Sequence, residues 1–197
     1  MISRIRGTLL SREGDRVEVA TPGGVVYEVE VPLSVVERLP ALGEEVELRT
    51  LYLVREDSNA LYGFLEAGER ELFARLIGAK GVGAKLALAM LSAYAAPRLA
   101  RALKEKDVAA LVQVSGVGRK TAERIFLELS DRMDDLEWAK AAPGVGDGAV
   151  APAQEAVQAL MALGMTFQEA DGAVRAVLED GAPASGPELI RKALARR

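Results

Sequence analysis

The sequence predicts a multidomain α+β protein, and three changes of pattern along the chain support that prediction. Residues 1–64 alternate apolar and polar side chains, as half-buried strands do. From Glu66 onward the apolar residues recur at helical spacing. Residues 141–153 are rich in Gly, Pro and Ala and show no sustained period, which is typical of a linker. The expected domains are a strand-rich domain at 1–64, a helical domain at 65–140, a linker at 141–153 and a small helical domain at 154–197.

The first domain is expected to be a small closed β-barrel. Val25 to Val31 alternates as a strand does, and Pro22-Gly23-Gly24 before it is typical of a hairpin turn. A second hairpin is expected around residues 56–59, and Leu33–Leu39 predicts one or two helical turns. Gly7 indicates a bulge or bend in the first strand. About five short strands with one small helix favour a barrel of the OB type, although spacing alone does not separate it from another five-stranded barrel.

The helical part is expected to form two separate units. In 65–140, Leu72, Phe73 and Leu76 belong to one apolar stripe, and short helices joined by glycine-containing turns indicate a compact domain. The linker is expected to be flexible. Residues 154–197 contain three short amphipathic segments. A unit of about 45 residues is near the lower size limit for independent folding, so close packing of its many alanines would help it.

The composition excludes several classes of protein. The chain has no cysteine and no histidine. Thiolate metal sites, iron–sulfur clusters, a cysteine nucleophile and the most common general base are therefore absent. We expect no catalytic residue, no metal and no cofactor. No apolar run is long enough for a signal peptide or a membrane span, so the sequence predicts a cytoplasmic protein with no membrane partner.

Charge is distributed unevenly along the chain, whose net charge is −4. Residues 1–64 hold 7 basic and 11 acidic side chains, and residues 131–197 hold the same numbers. Residues 65–130 hold 11 basic and 7 acidic side chains, a net of +4. The middle third is the part that suits a polyanionic partner. The acidic barrel, with few aromatic residues, is a poor platform for stacking single-stranded bases.

One element of the middle third occurs twice, with an offset of 35 residues. Each copy has two apolar residues, then Gly-Val-Gly, a Lys two positions later and an Ala two positions beyond the Lys, and the copies lie at 76–87 and 111–122. Two matches in register indicate a duplicated structural unit.

The repeated element predicts a site for phosphate. A glycine pair between two helices lets the turn adopt positive φ and brings bare backbone close to a ligand. The N–H groups of the turn and of the next helix then form an anion site at the positive end of the helix dipole. The predicted backbone-binding residues are Gly81, Val82, Gly83 and Lys85 in the first copy and Gly116, Val117, Gly118, Arg119, Lys120 and Arg124 in the second. Such contacts carry no base information, so recognition is expected to be independent of sequence.

The element resembles the helix-hairpin-helix motif, which contacts the DNA backbone in scaffolds and in enzymes. The second copy is also similar to the hairpin of bifunctional DNA glycosylases, in which the lysine equivalent to Lys120 is the nucleophile. That similarity leaves a glycosylase or nuclease as the alternative function. The glycosylase pattern requires an Asp about eighteen residues further on, and this sequence has Trp138 there, with Asp131, Asp134 and Asp135 nearby.

The whole chain resembles the RuvA family, the Holliday-junction-binding subunits of the bacterial branch-migration complex. The resemblance includes Met1-Ile2 with Arg6-Gly7, Arg55-Glu56-Asp57 with Leu61-Tyr62-Gly63-Phe64, both hairpins and the tail. It implies a homotetramer, or two tetramers, on four-way junction DNA, in recombination, repair and the SOS response. It also implies an acidic pin of Glu56 and Asp57 at the junction centre, with Arg55 contacting the DNA there.

The resemblance assigns a partner to the C-terminal segment. In the family this domain docks on the RuvB hexameric ATPase, and the RuvC resolvase is expected to join a larger complex. Leu163-Gly164-Met165-Thr166-Phe167 is similar to the Met-Gly-Phe loop of ubiquitin-associated-type domains, with Gly and Met exchanged. Leu163, Met165 and Phe167 are the candidate motor-binding residues, and Leu163 and Phe167 are alternatively expected in the domain core.

Overall fold

The computed structural model of the chain describes residues 1–133, 136, 152–179 and 185–195, and it begins with a closed five-stranded barrel. Neighbouring strands pair antiparallel except β3 and β5, which run parallel where Glu30 lies opposite Tyr62. The order around the barrel is β1-β2-β3-β5-β4. The predicted OB-type barrel is confirmed. Its strands are β1 (Arg4–Glu13), β2 (Arg16–Ala20), β3 (Val26–Glu30), β4 (Glu45–Val54) and β5 (Asn59–Phe64).

Gly7 does not form the bulge that its position in the sequence suggested. The register of β1 against β2 shifts between Leu9 and Ser11 instead. Gly7 lies where the backbone of β1 approaches the end of β2 most closely, since a Cβ atom there would overlap the carbonyl oxygen of Ala20. The glycine is needed because two backbone segments meet at that point.

Helix α2 (Ala67–Gly78) packs onto β4 and β5, and the helices of this region pack onto one another. The ring of Phe73 lies 4.8 Å from that of Tyr62 and 5.1 Å from that of Phe64, measured between centroids. Arg70 Nε donates to the carbonyl oxygen of Thr50 at 2.6 Å, which ties α2 to β4. The helices of this region are α1 (Leu33–Val36), α2 (Ala67–Gly78), α3 (Ala84–Ala93), α4 (Ala96–Lys104), α5 (Val108–Val112) and α6 (Arg119–Leu129).

The C-terminal segment forms the three predicted helices, which pack against one another. They are α7 (Pro152–Ala162), α8 (Phe167–Glu179) and α9 (Gly186–Leu194). Their shared core consists of small and branched apolar residues, which include Val157, Leu160, Ala170, Val174, Leu189 and Ala193. We call this unit the three-helix domain. The predicted linker at 141–153 lies outside the described residues, except that Pro152 and Ala153 begin α7.

The three-helix domain contacts the rest of the protein. Helices α7 and α8 pack on α1 and α3, and α8 also reaches β1. Across the described ranges, no helix combines the length and the apolar character needed to cross a membrane.

The close approach at Gly7 predicts a large difference between two glycine substitutions. We expect Gly7→Ala to lower the free energy of unfolding by about 2 kcal/mol or more, because the methyl group forces two strands apart. Gly23→Ala is the matched control, since a Cβ atom at Gly23 meets nothing within 4 Å. Urea unfolding of both variants measures the difference, and equal stability would show that β1 and β2 do not pack as described.

Candidate nucleic-acid interface

The first Gly-Val-Gly element forms the turn between α2 and α3. The backbone N–H of Val82 donates to the carbonyl oxygen of Ala79 at 3.0 Å and closes the turn. Gly81 has a φ of +86°, a conformation that residues with a side chain rarely adopt. The Val82 side chain is buried in the core and anchors the turn there. Gly83 then caps the N-terminus of α3.

The second element, between α5 and α6, has the same geometry. The N–H of Val117 donates to the carbonyl oxygen of Val114 at 3.0 Å, Gly116 also has a φ of +86°, and Val117 is also buried. The capping glycines agree as well, with φ and ψ of −86° and 168° at Gly83 and of −84° and 167° at Gly118. The duplicated structural unit predicted from the repeat is therefore confirmed.

The N-termini of α3 and α6 are suited to binding an anion. Gly83 and Gly118 provide no side chain to cap the helix. The first intrahelical N–H donors are those of Ala87 and Ala122, which bond the two capping carbonyls at 3.0 and 2.9 Å. The N–H groups of the preceding helical residues therefore have no acceptor within the helix and point outward along its dipole. A phosphate oxygen is an acceptor of the charge and size that such a terminus binds.

Basic side chains surround these helix ends. Lys85 lies in the first turn of α3, and Arg119 and Lys120 lie in the first turn of α6, all of them exposed. Arg119 Nε also donates to Glu123 Oε1 at 3.3 Å, a surface ion pair that holds its side chain along α6. A phosphate at either hairpin would therefore lie beside at least one cation.

The structure brings the two hairpins together, which the repeat alone did not predict. A Cβ atom at Gly81 would lie 3.2 Å from Arg124 Nη1, so the guanidinium of α6 covers the first turn. A Cβ atom at Gly116 would lie 3.5 Å from Leu86 Cδ1, so α3 covers the second turn. Arg124, expected to serve the second hairpin, thus reaches the first hairpin as well. The two turns therefore lie next to each other, each against a side chain of the other hairpin.

Glu128 is a residue beside the first turn that the sequence patterns did not identify. Its Oε2 atom accepts a hydrogen bond of 2.8 Å from the backbone N–H of Lys80, just before Gly81. This bond fixes the first turn from α6. The four-residue spacing of Lys120, Arg124 and Glu128 places them along one face of the helix, and that spacing is the signal that would have identified Glu128.

The predicted acidic pin forms the exposed turn between β4 and β5. The N–H of Arg55 donates to the carbonyl oxygen of Ser58 at 2.8 Å, and Ser58 Oγ donates to Asp57 Oδ1 at 3.2 Å. Arg55, Glu56 and Asp57 all have exposed side chains. Among the described residues, no cation forms an ion pair with Glu56 or Asp57, so the turn presents two carboxylates at one end of the barrel.

The candidate motor-binding residues lie between α7 and the first residue of α8, and they differ in exposure. Leu163 is 62% exposed, so its alternative assignment to the core is wrong, since the chain turns away from α7 at Gly164 with a φ of +93°. Phe167 is buried, which confirms that it belongs to the core. Met165 is half-buried. The structure therefore leaves Leu163 as the most accessible apolar side chain of the loop.

Comparison with known families matches the chain in three consecutive segments. The model of the RuvA N-terminal domain matches residues 1–63, a SAM-like helix-hairpin-helix tandem matches 73–131, and the RuvA C-terminal domain matches 151–196. The chain belongs to the RuvA family. The helix-hairpin-helix match spans both Gly-Val-Gly turns, which confirms the assignment of that motif.

Relatives in the RuvA family match the chain over its whole length. A protein of Gemmatimonas aurantiaca is 51% identical over 196 residues, which cover 100% of this chain and 98% of the relative. A protein of Stutzerimonas stutzeri is 44% identical, and one of Pseudomonas aeruginosa is 46% identical, each with 98% of both chains covered. All three bear the name Holliday junction branch migration complex subunit RuvA.

The glycosylase alternative gains no support from membership of the RuvA family. A lysine that acts as a nucleophile is usually desolvated so that it can lose its proton, whereas Lys120 is exposed. Trp138 and the nearby Asp134 and Asp135, which the alternative invoked, lie outside the described residues, and Asp131 is exposed. The family models and the names of the relatives contain no glycosylase or nuclease.

The geometry of the second hairpin predicts different effects when each of its two glycines is replaced by alanine. We expect Gly116→Ala to lower the free energy of unfolding by about 1 kcal/mol, because its φ is positive. We expect Gly118→Ala to lower stability less, because its φ is negative and the added Cβ atom meets nothing within 4 Å, so that only the poorer N-cap preference of alanine remains. Gly118→Ala should nevertheless weaken DNA binding, since the methyl group stands where a phosphate approaches. Thermal unfolding and a DNA-binding titration separate the effects, and a Gly118→Ala variant that is more destabilised than Gly116→Ala would contradict this geometry.

Proposed function

We propose that this chain binds Holliday junctions through their sugar-phosphate backbones, without reading sequence, and presents them to a branch-migration motor in the bacterial cytoplasm. The observation that carries the proposal is the pair of adjacent hairpins with the same backbone geometry and with basic side chains beside each. Two phosphate sites that lie side by side would bind two phosphates of one nucleic acid. Family membership and the names of the relatives support four-way junctions as the substrate.

The proposed contacts explain why binding is independent of sequence. Backbone N–H groups and lysine side chains recognise phosphates, which are the same at every base pair. Such contacts also release counterions, so affinity should fall steeply as salt rises. Neither feature distinguishes a junction from a plain duplex.

Selectivity for a junction belongs, in this proposal, to a homotetramer with fourfold symmetry. Each protomer would hold one arm, and four engaged arms would bind far more tightly than one through effective concentration. One or two such tetramers would hold the junction open. Tyr52 and Val54 are exposed apolar residues of β4 next to the acidic turn, and burial between protomers would explain their exposure in the single chain.

The acidic turn would lie at the centre of that tetramer, where the strands exchange. Glu56 and Asp57 would repel the phosphates and keep separated strands from pairing again, while Arg55 would contact the DNA beside them. The three-helix domain, through Leu163 and its neighbours, would recruit the RuvB ATPase. A resolvase of the RuvC type would act within the same larger complex.

The two lysines provide the direct test of this function. We expect Lys85→Gln with Lys120→Gln to weaken binding to a synthetic four-way junction at least tenfold at low salt. The slope of log affinity against log salt should fall by about one unit for each phosphate that the variant no longer neutralises. Lys192→Gln, which removes an exposed lysine of α9 that belongs to neither hairpin, is the matched control and should bind as the parent does.

The measurement combines a gel-shift titration with a mass determination of the complex. The parent should bind the junction much more tightly than a linear duplex of the same length and should carry four or eight copies of the chain. A protein that stays monomeric on the junction, or that binds both DNAs equally, would refute the proposed mechanism.

The acidic turn makes a separate prediction about branch migration. Glu56→Gln with Asp57→Asn keeps the shape of the turn and removes its charge. We expect junction affinity to be equal or higher, because repulsion is removed, and the rate of motor-driven branch migration to change. Markedly weaker junction binding by this variant would count against repulsion as the role of the pin.

A further inference from the structure

The three-helix domain is held against the rest of the protein by a buried arginine. Arg175 of α8 is 6% exposed. Its Nε atom donates to Asp171 Oδ2 at 2.7 Å, its Nη1 to the carbonyl oxygen of Gly14 at 3.1 Å and its Nη2 to Ser92 Oγ at 3.1 Å. Ser92 Oγ also accepts from the N–H of Leu33 at 3.0 Å, so one hydroxyl joins α1, α3 and α8.

Further polar contacts complete this docking interface. Glu179 Oε1 accepts from the N–H of Gly14 at 2.5 Å, beside the Arg175 bond to the same residue. At the start of α7, the N–H of Ala153 donates to Glu37 Oε1 at 3.0 Å. Charged side chains and backbone groups thus supply the directional contacts of this interface, and interfaces of that composition often separate.

The docking interface also contains unsatisfied polar atoms. Within the described ranges, two buried side-chain oxygen atoms lack a hydrogen-bond partner, namely Glu37 Oε2 and Asp171 Oδ1. Glu37 accepts the docking bond from Ala153, and Asp171 holds the side chain of Arg175, which makes two of the docking contacts. A buried polar atom without a partner disfavours the buried state, and exposure to water on separation would remove that cost. This feature favours a docked arrangement that can open.

The docked domain lies next to the first hairpin. A cleft of about 270 Å³ between the two parts is lined by Lys85 and Ala89 of α3 and by Phe167 and Asp171 of α8. Lys85 is the cation expected beside the phosphate of the first hairpin. The helix that begins at that anion site is therefore one of the helices that the three-helix domain contacts.

Carboxylates gather around Lys85 when the domain is docked. Asp15 of the barrel lines the same cleft, and Glu179 lies beside it at Gly14. Burial raises the pKa of Glu30, Asp15 raises it further, and Lys85 is among the cations that oppose this shift, which places Lys85 within electrostatic reach of the barrel carboxylates. Among the described residues of the three-helix domain that line the cleft or contact Gly14, Asp171 and Glu179 are acidic and Arg175 is basic. The docked domain therefore brings net negative charge towards a phosphate site.

We propose that the docked three-helix domain competes with DNA phosphate for Lys85, so that docking and DNA binding at the first hairpin oppose each other. The inference rests on the proposed function, because it takes the first hairpin as a DNA site. Linkage requires the opposition to be mutual, with each event weakening the other by the same factor. The free protein keeps its three-helix domain docked, and DNA on the first hairpin releases that domain to a partner.

A reversible covalent lock tests the proposal. The chain has no cysteine, so Glu37→Cys with Ala153→Cys introduces two thiols at a point where α1 and α7 meet and leaves every group around Lys85 unchanged. Oxidation holds the domain docked and reduction frees it, so the two forms of one variant are matched controls. Thiol titration establishes the extent of the disulfide.

We expect the oxidised form to bind a synthetic four-way junction about fivefold more weakly than the reduced form, at the lower end of the usual range of coupling between sites. We also expect saturating junction DNA to slow oxidation of the thiol pair, since bound DNA holds the domain away. Equal junction affinity of the two forms would overturn the inference. Failure of both forms and of the parent to bind the junction would instead refute the proposed function.

A single substitution tests the electrostatic part of the proposal and needs no introduced cysteine. Asp171→Asn removes one carboxylate from the cleft and should raise junction affinity at low salt, with the gain disappearing at high salt. Glu188→Gln removes a carboxylate from α9 of the same domain, away from the cleft, and should leave affinity unchanged. Equal affinity of Asp171→Asn and Glu188→Gln would overturn the inference even if the disulfide does not form.

Discussion

The proposed function depends on two helices that begin at a glycine. A side chain at the N-cap would satisfy the first N–H groups of the helix, and Gly83 and Gly118 leave them to a ligand. The positive φ of Gly81 and Gly116 makes this possible, because it turns the chain sharply enough for the next helix to present its end to solvent. The valine between each glycine pair is buried, so the turn is rigid before any phosphate arrives.

Such an anion site would bind phosphate well but discriminate poorly between one nucleic-acid structure and another. The charge distribution compensates for that poor discrimination. The basic hairpins are flanked in sequence by two acidic regions. Electrostatic attraction to DNA is therefore confined to one surface, while the barrel and its acidic turn repel it. In the proposed fourfold assembly, such protomers would attract DNA at the arms and repel it at the centre. Repulsion at Glu56 and Asp57 would then shape the bound junction together with attraction at Lys85 and Lys120.

Local patterns predicted most of the fold, and contacts distant in sequence account for what they missed. The barrel strands, both hairpins and the three C-terminal helices follow from residue periodicity and turn chemistry, which act over a few positions. Gly7 was predicted to form a bulge or bend. A glycine is needed there because of the backbone of Ala20, thirteen positions away, and no local pattern contains that contact. Glu128 and Arg124 reach the first hairpin from α6, and Arg175 reaches Ser92 from another domain. Pairings of this kind exist only once the chain has folded.

The proposed opposition between docking and DNA binding has a particular consequence in a symmetric assembly. A fivefold effect in one protomer is small, yet in the proposed tetramer a junction would engage every protomer at once, so the effects would multiply. A linear duplex would engage only some protomers and leave the others docked. The release of all three-helix domains would then report that all arms are occupied. A docking contact with two unsatisfied carboxylate oxygens is suited to that role, because a tighter interface would hold the domain back even on the correct DNA.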